Sequence, residues 1–206
     1  TASNGIWEIG VPTSGPPANA EGNRAHEGTN VLATVLAGNY TDDRSSRVVS
    51  PVFTVPGAAE NPRLLFWHWW SIAQNDFGKV QISTDNGTTW TDLTGKYTAD
   101  SSGQWTRATL DLSAYAGQSV RVGFYFESHG YTCNVYNWCT NVGPGWYIDQ
   151  VELRSGPHRF NNPEDFEAFW GDWETDNYSV WQIGKPTSGP PEVNGSRAHS
   201  SALVAA

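Results

Sequence analysis

The residues best equipped for chemistry are two carboxylates and one aromatic loop. Asp76 follows an aromatic run, in Gln74-Asn75-Asp76, and Asp149 sits among apolar neighbours in Trp146-Tyr147-Ile148-Asp149-Gln150-Val151. A carboxylate in such a setting is costly to bury unpaired. Asp149 is therefore either an oxygen ligand for a hard cation such as Ca2+, which takes about six to eight oxygens, or a hydrogen-bonded structural acid. The loop Tyr131-Thr-Cys-Asn-Val-Tyr-Asn-Trp-Cys139 offers Tyr131, Tyr136 and Trp138 as ring faces for a pyranose, with Asn134 and Asn137 as polar partners. The competing reading is a lid packed over the edge of the fold. Cys133 and Cys139 are close enough to staple this loop. The alternatives are a disulfide and two reduced thiols, since no matching His or Cys completes a zinc site. A disulfide implies an oxidising, extracytoplasmic location.

Constellations for catalysis are missing. The chain has no Gly-X-Ser-X-Gly, no His-Glu-X-X-His and no glycine-rich phosphate loop. Glu164 and Glu167 are three residues apart, which on a strand directs them to opposite faces and not to the two sides of one glycosidic bond. His68, surrounded by Trp67, Trp69 and Trp70, reads as a packed core imidazole. The sequence therefore predicts a protein that is not an enzyme.

Composition narrows the partners. Of 206 residues 16% are charged, 21 acidic against 12 basic, for a formal net charge of −9. Phosphate binding needs clustered Lys and Arg, so nucleic acid is excluded as the expected partner. No run approaches the ~20 apolar residues of a membrane span. The chain begins at Thr1 with no leader, as expected of a mature or excised fragment. Four Asn-X-Ser/Thr triplets, at Asn39, Asn86, Asn177 and Asn194, agree weakly with secretion.

The elements that must position these residues are strands. With 21 Gly, 11 Trp, 8 Tyr and 8 Phe, the composition suits half-buried pleated surfaces joined by turns. Arg47–Val55 is broken by Pro51, predicting an edge strand. Arg63–Trp70 is almost continuously apolar, predicting a central strand covered on both faces. Lys79–Ser83 alternates and turns at Asp85-Asn86-Gly87 into Thr88–Leu93. Trp105–Leu112 also alternates, with Trp105, Leu110 and Leu112 as core candidates. In Ser119–Phe126, Val120, Val122, Phe124 and Phe126 share one face, and Gly145–Leu153 closes the unit. Short strands with turn signals between them spell an all-β, two-sheet antiparallel jelly-roll sandwich.

One internal repeat sets the domain organisation. Trp7-Glu-Ile-Gly-Val-Pro-Thr-Ser-Gly-Pro-Pro17 recurs as Trp181-Gln-Ile-Gly-Lys-Pro-Thr-Ser-Gly-Pro-Pro191, and Arg24-Ala-His26 recurs as Arg197-Ala-His199. A period this long is that of a whole domain. Residues 1–157 form one unit that lacks its first strand, and 158–206 begin a second. A missing strand leaves an unpaired sheet edge. The segment 158–206, and Phe166-Glu167 within it, is thus a candidate complementing strand in its own chain or a neighbour, with self-association as the consequence. The alternative is a ragged tail.

Leu65-Phe-Trp-His-Trp-Trp70, Val80-Gln-Ile-Ser-Thr-Asp-Asn-Gly-Thr-Thr-Trp90, Leu110-Asp-Leu-Ser-Ala-Tyr-Ala-Gly117, Val122-Gly-Phe-Tyr-Phe126 and Gly145-Trp-Tyr-Ile-Asp-Gln-Val151 occur in this order. In these motifs residues 7–154 resemble the MAM-like jelly-roll modules of secreted immune-inhibitor-A-type peptidases, and more distantly cleaved-adhesin domains. The resemblance implies a secreted or cell-surface module, often calcium-stabilised, that binds or adheres. Gln150 departs from the family's paired acid at that position. A calcium site joining Asp149 to the family's opening acid would need Glu167 and Asp172 to dock from the tail. Three functions are expected from this reading: a non-catalytic adhesion or binding module for a glycan or cell-surface ligand, a structural subunit of an extracellular filament assembled by strand complementation, or an accessory domain of a secreted peptidase.

Overall fold

The computed structural model describes residues 5–98, 103–130, 142–168 and 170–174, together with 181, 183–186, 188–189, 198 and 204–205. It separates into two compact units, Thr1–Gly156 and Pro157–Ala206.

In the first unit the strands are β1 (Glu8–Gly10), β2 (Val31–Ala33), β3 (Arg44–Val49), β4 (Phe53–Thr54), β5 (Arg63–Ser71), β6 (Phe77–Ser83), β7 (Thr91–Asp92), β8 (Thr106–Asp111), β9 (Ser119–Ser128) and β10 (Gly145–Arg154). One sheet has the order β1-β2-β10-β5-β8; the other runs β3-β9-β6-β7, with β4 also paired to β9. All these pairings are antiparallel. The result is the all-β, two-sheet antiparallel jelly roll that the strand pattern predicts. Pro51 falls between β3 and β4, dividing an edge as expected where a strand loses a ladder donor.

Alternation decides what each strand buries. On β9, Val120, Val122, Phe124 and Phe126 enter the main core, where they meet Phe66 and Trp70 of β5 and Trp146 and Ile148 of β10. β5 is buried on both faces, because Trp69 points away from that core into a second cluster with Tyr147, Ala33, Val31 and Ala25. Residues between β1 and β2 supply the cover: His26 stacks on Trp67 at 3.8 Å, and Trp105 Nε1 donates to Arg24 O. Trp105 thus belongs to this second cluster, while Leu112 lies in the main core and Leu110 packs against it. Odd and even positions of one strand cannot share a face, which separates Trp105 from the other two.

His68 is fully buried on the core side of β5 and accepts a hydrogen bond at Nδ1 from Trp146 Nε1. Burial with no compensating charge pushes its pKa down to about 3. It is the packed imidazole expected.

In the second unit β11 (Ile183–Gly184) pairs antiparallel with β12 (Val204–Ala205). Ile183↔Ala205 and Gly184↔Val204 match, repeat position for repeat position, Ile9↔Leu32 and Gly10↔Val31 of the first unit. The repeat is therefore one of pairing as well as of letters. Phe166-Glu167, the candidate complementing strand, lies in a turn in this chain, with Phe166 at φ 59°. The local acids explain this. Glu164 accepts from Phe166 N and Asp165 from Glu167 N, so these side chains capture the backbone donors a ladder would need.

Candidate functional site

The main core takes the even-numbered residues of β6 and β9, so the odd ones face outward. Cross-strand register then builds rows on that outer face. Arg47, Tyr125 and Lys79 form one row, Val49, Gly123, Gln81 and Asp92 the next, and Ser45, Glu127 and Phe77 a third. Their rings belong to neither apolar cluster.

The side chains interlock. The Arg47 guanidinium lies 4.4 Å from the centre of the Trp90 ring and 4.9 Å from that of Tyr125. It also donates through Nε and Nη2 to Gln81 Oε1, at 2.9 and 2.6 Å. Gln81 Nε2 passes the chain on to Asp92 Oδ1 at 2.6 Å, and Lys79 Nζ donates to Asp92 Oδ2 at 2.9 Å. Beyond them Lys96 sits 3.7 Å above Phe77, and the Tyr125 hydroxyl donates to Glu127.

Gly123 makes the Arg47–Trp90 stack possible. A Cβ there would meet Arg47 Cδ at 2.5 Å and the Trp90 ring at 2.8 Å. Trp90 is fixed from its other end, since Nε1 donates to Gly87 O in the β6–β7 turn. That turn is held in place by Asp85, which accepts from Thr88, Thr89 and Ser83.

Electrostatics follow the geometry. Burial lowers the Arg47 pKa, opposed by Tyr125 and Asp92, and raises that of Tyr125, reinforced by the hydrogen bond to Glu127. Burial would raise Asp92, but hydrogen bonds from Gln81 and Lys79 prevail and hold it below the usual carboxylate range. Asp92 therefore stays charged at neutral pH, joined to the Arg47 guanidinium through Gln81. Trp90 and Tyr125 are the part-exposed rings of this face, Phe77 and Gln81 being buried beneath it, and with the charged side chains beside them they can stack on a ligand and hydrogen-bond to it.

The residues predicted from sequence fall elsewhere. Tyr131, Asn134, Tyr136, Asn137 and Trp138, like Cys133 and Cys139, lie outside the described residues. Asp76 is buried, and its oxygens accept from the Tyr40 hydroxyl at 2.6 Å and His129 N at 2.8 Å. Burial and the Asp76 hydrogen bond raise the Tyr40 pKa. Asp149 is half-buried on the outer side of the other sheet, accepting from Glu27 N and Gln150 N. Gln150 begins a bulge and adopts φ 47°. Glu167 lies in the turn of the second unit, where Asp172 accepts from Arg159 N. Among the described residues no three His, Cys, Asp or Glu side chains converge as a metal ion requires.

A cleft of about 420 Å³ also opens by Glu8, Thr34, Tyr40 and Arg44. Glu8 there accepts a hydrogen bond from Leu36 N, and the Tyr40 hydroxyl is turned to Asp76. No helix among the described residues is long and apolar enough to cross a membrane.

No protein-family model matches the chain. Bacillopeptidase F of Bacillus subtilis (strain 168) is 32% identical over 154 residues, 74% of this chain, and the chain spans only 10% of that protein's length. Among solved structures, TmCBM61 in complex with β-1,4-galactotriose is 14% identical, with 75% of this chain and 86% of that one covered, at a TM-score of 0.42. The K1 cleaved adhesin domain of Lys-gingipain from Porphyromonas gingivalis W83 is 17% identical, over 76% and 95%, at 0.43. The CBM22-1 xylan-binding domain of Paenibacillus barcinonensis Xyn10C is 15% identical, over 75% and 84%, at 0.38.

Proposed function

We propose that the chain is a non-catalytic, extracellular binding module of the MAM-like type that recognises glycans on the outer face of the β3-β9-β6-β7 sheet. One observation carries this reading: Trp90 and Tyr125, both part-exposed, share that face with the Arg47–Gln81–Asp92 hydrogen-bond chain and belong to neither apolar core. Aromatic rings of this kind offer apolar faces to sugar C–H groups, and the fixed polar groups between them address hydroxyls. Strands hold the array rigid, which lowers the cost of ordering it on binding.

The test is affinity gel electrophoresis of the full chain in soluble polysaccharides. At least one glycan should retard it, and Trp90→Ala and Tyr125→Ala should abolish the retardation while leaving the near-UV circular dichroism of the core intact. No retardation by any polysaccharide, or retardation indifferent to both substitutions, would reject the reading.

The likeness to Bacillopeptidase F favours an addition to this reading: the module serves as an accessory domain of a secreted peptidase, holding it near its substrate. A polypeptide from the same gene lacking any peptidase domain would reject that addition.

A further inference from the structure

Resting on the glycan-binding reading, we infer that the ligand is an acidic glycan bearing carboxylates, a hexuronan, and not a neutral polysaccharide. Charge placement carries the inference. The chain is acidic overall, with 21 acidic against 12 basic residues, and only two lysines fall within residues 1–156. Both of them, Lys79 and Lys96, stand on this one face, and Arg47 and Arg121 project from the same side of the sheet.

The cations are arranged, not scattered. Arg47 and Lys79 are both register partners of Tyr125, one on each side, so their backbones lie two inter-strand spacings, about 10 Å, apart. Their charged groups close in on the ring between them, the guanidinium carbon 4.9 Å and Nζ 5.5 Å from the Tyr125 centroid. Each cation is held beside an aromatic ring: Arg47 by Trp90 and Tyr125, Lys79 by Tyr125 and Phe77, Lys96 by Phe77. A sugar whose C–H groups contact those rings brings its ring carboxylate to the adjacent cation. An acidic peptide would use the charges but leave the rings without a planar partner, so the alternation of ring and cation favours the glycan.

The carboxylates on the face serve selectivity. Asp92 pairs with Lys79 and Glu127 accepts from Tyr125, so each fixes a donor in position. They also repel an anion that approaches out of register.

The experiment uses the full chain in affinity electrophoresis and calorimetry with four probes: sodium polygalacturonate, the same polymer fully methyl-esterified, neutral xylan and sodium polyglutamate. The expected result is binding to polygalacturonate that weakens with added salt and falls at least tenfold on esterification. Lys79→Gln and Lys96→Gln, both near-surface changes, should each weaken it several-fold, and Arg47→Gln more. Equal binding of the free and esterified polymers, or preference for xylan, overturns the charge inference and leaves the glycan reading standing. Equal binding of polyglutamate overturns the choice of glycan over acidic peptide. Binding to none of the polysaccharides removes both the inference and the reading beneath it. Undiminished binding by folded lysine variants overturns the assignment to this face.

Discussion

The two outer faces of the sandwich carry similar residues and put them to different use. On the sheet centred on β10 and β5, the outward Trp67, Trp69 and Tyr147 are roofed by the residues between β1 and β2. His26 stacks on Trp67, and the Ser14 hydroxyl lies 3.3 Å from that of Tyr147. On the sheet centred on β9 and β6, Trp90, Tyr125 and Phe77 have cations for neighbours instead. A ring covered by another segment is a core residue; on the opposite face Trp90 and Tyr125 stay part-exposed beside charged side chains, while Phe77 is buried with Lys96 over its ring. Two glycines repeat the contrast. Gly78 faces inward, and a Cβ there would strike the buried Trp146 ring at 2.5 Å, whereas Gly123 faces outward beneath the flexible Arg47.

The comparison breaks first, and hardest, at the tryptophans. Trp69→Ala should cost about 3–5 kcal/mol by denaturant unfolding, since it empties the second cluster. Trp90→Ala should cost under about 1 kcal/mol, as substitutions outside a core do. Equal losses would erase the distinction between the faces.

Acid should act next, through the interior. His68 stays neutral when folded, with its pKa near 3 against an ordinary 6.5. Above pH 6.5 both states are neutral and the residue contributes no pH dependence. As pH falls below that value only the unfolded chain gains the proton, so stability drops by about 3 kcal/mol by pH 4. His68→Asn keeps an acceptor for Trp146 and should flatten this slope, whatever its effect at neutral pH. An unchanged slope would assign acid sensitivity elsewhere.

The glycines sharpen the contrast further. Gly78→Ala should destabilise by about 1–3 kcal/mol through overpacking against a ring that cannot move. Gly123→Ala should also destabilise by about 1–3 kcal/mol, because its Cβ meets the Trp90 ring at 2.8 Å as well as Arg47 Cδ at 2.5 Å, and should in addition weaken ligand binding by breaking the Arg47–Trp90 stack. Unfolding curves and titrations on the same two variants check both halves.

Much of the fold was legible because it is written in short-range periodicity. The alternation of Val120, Val122, Phe124 and Phe126 declares one buried face of β9, and the unbroken aromatic run of β5 declares two. The Trp7/Trp181 repeat is matched in the structure by a pairing of β11 with β12 in the register of β1 with β2. The binding face was only half legible. The same alternation implied that Arg121, Gly123, Tyr125 and Glu127 point outward, but nothing local shows that Arg47 and Lys79 flank Tyr125. That juxtaposition comes from β3 and β6 meeting across β9, a long-range pairing with no signature in either segment. The segment Tyr131–Cys139, where aromatic residues and cysteines crowd together in sequence, is the candidate a local pattern offers, and it lies outside the described residues. The turn at Phe166 rests on a local competition that a strand pattern does not display: Glu164 and Asp165 capture the backbone donors of Phe166 and Glu167.

The most direct test is a two-dimensional NMR titration of the labelled full chain with oligogalacturonide. The side-chain signals of Arg47 Nε, Gln81 Nε2 and Trp90 Nε1, with the backbone amides of β6 and β9 around Tyr125, should shift most and saturate together. Shifts confined to the residues roofing β5 and β10, or to the 131–141 loop, with those of Arg47, Gln81 and Trp90 unmoved, would contradict it.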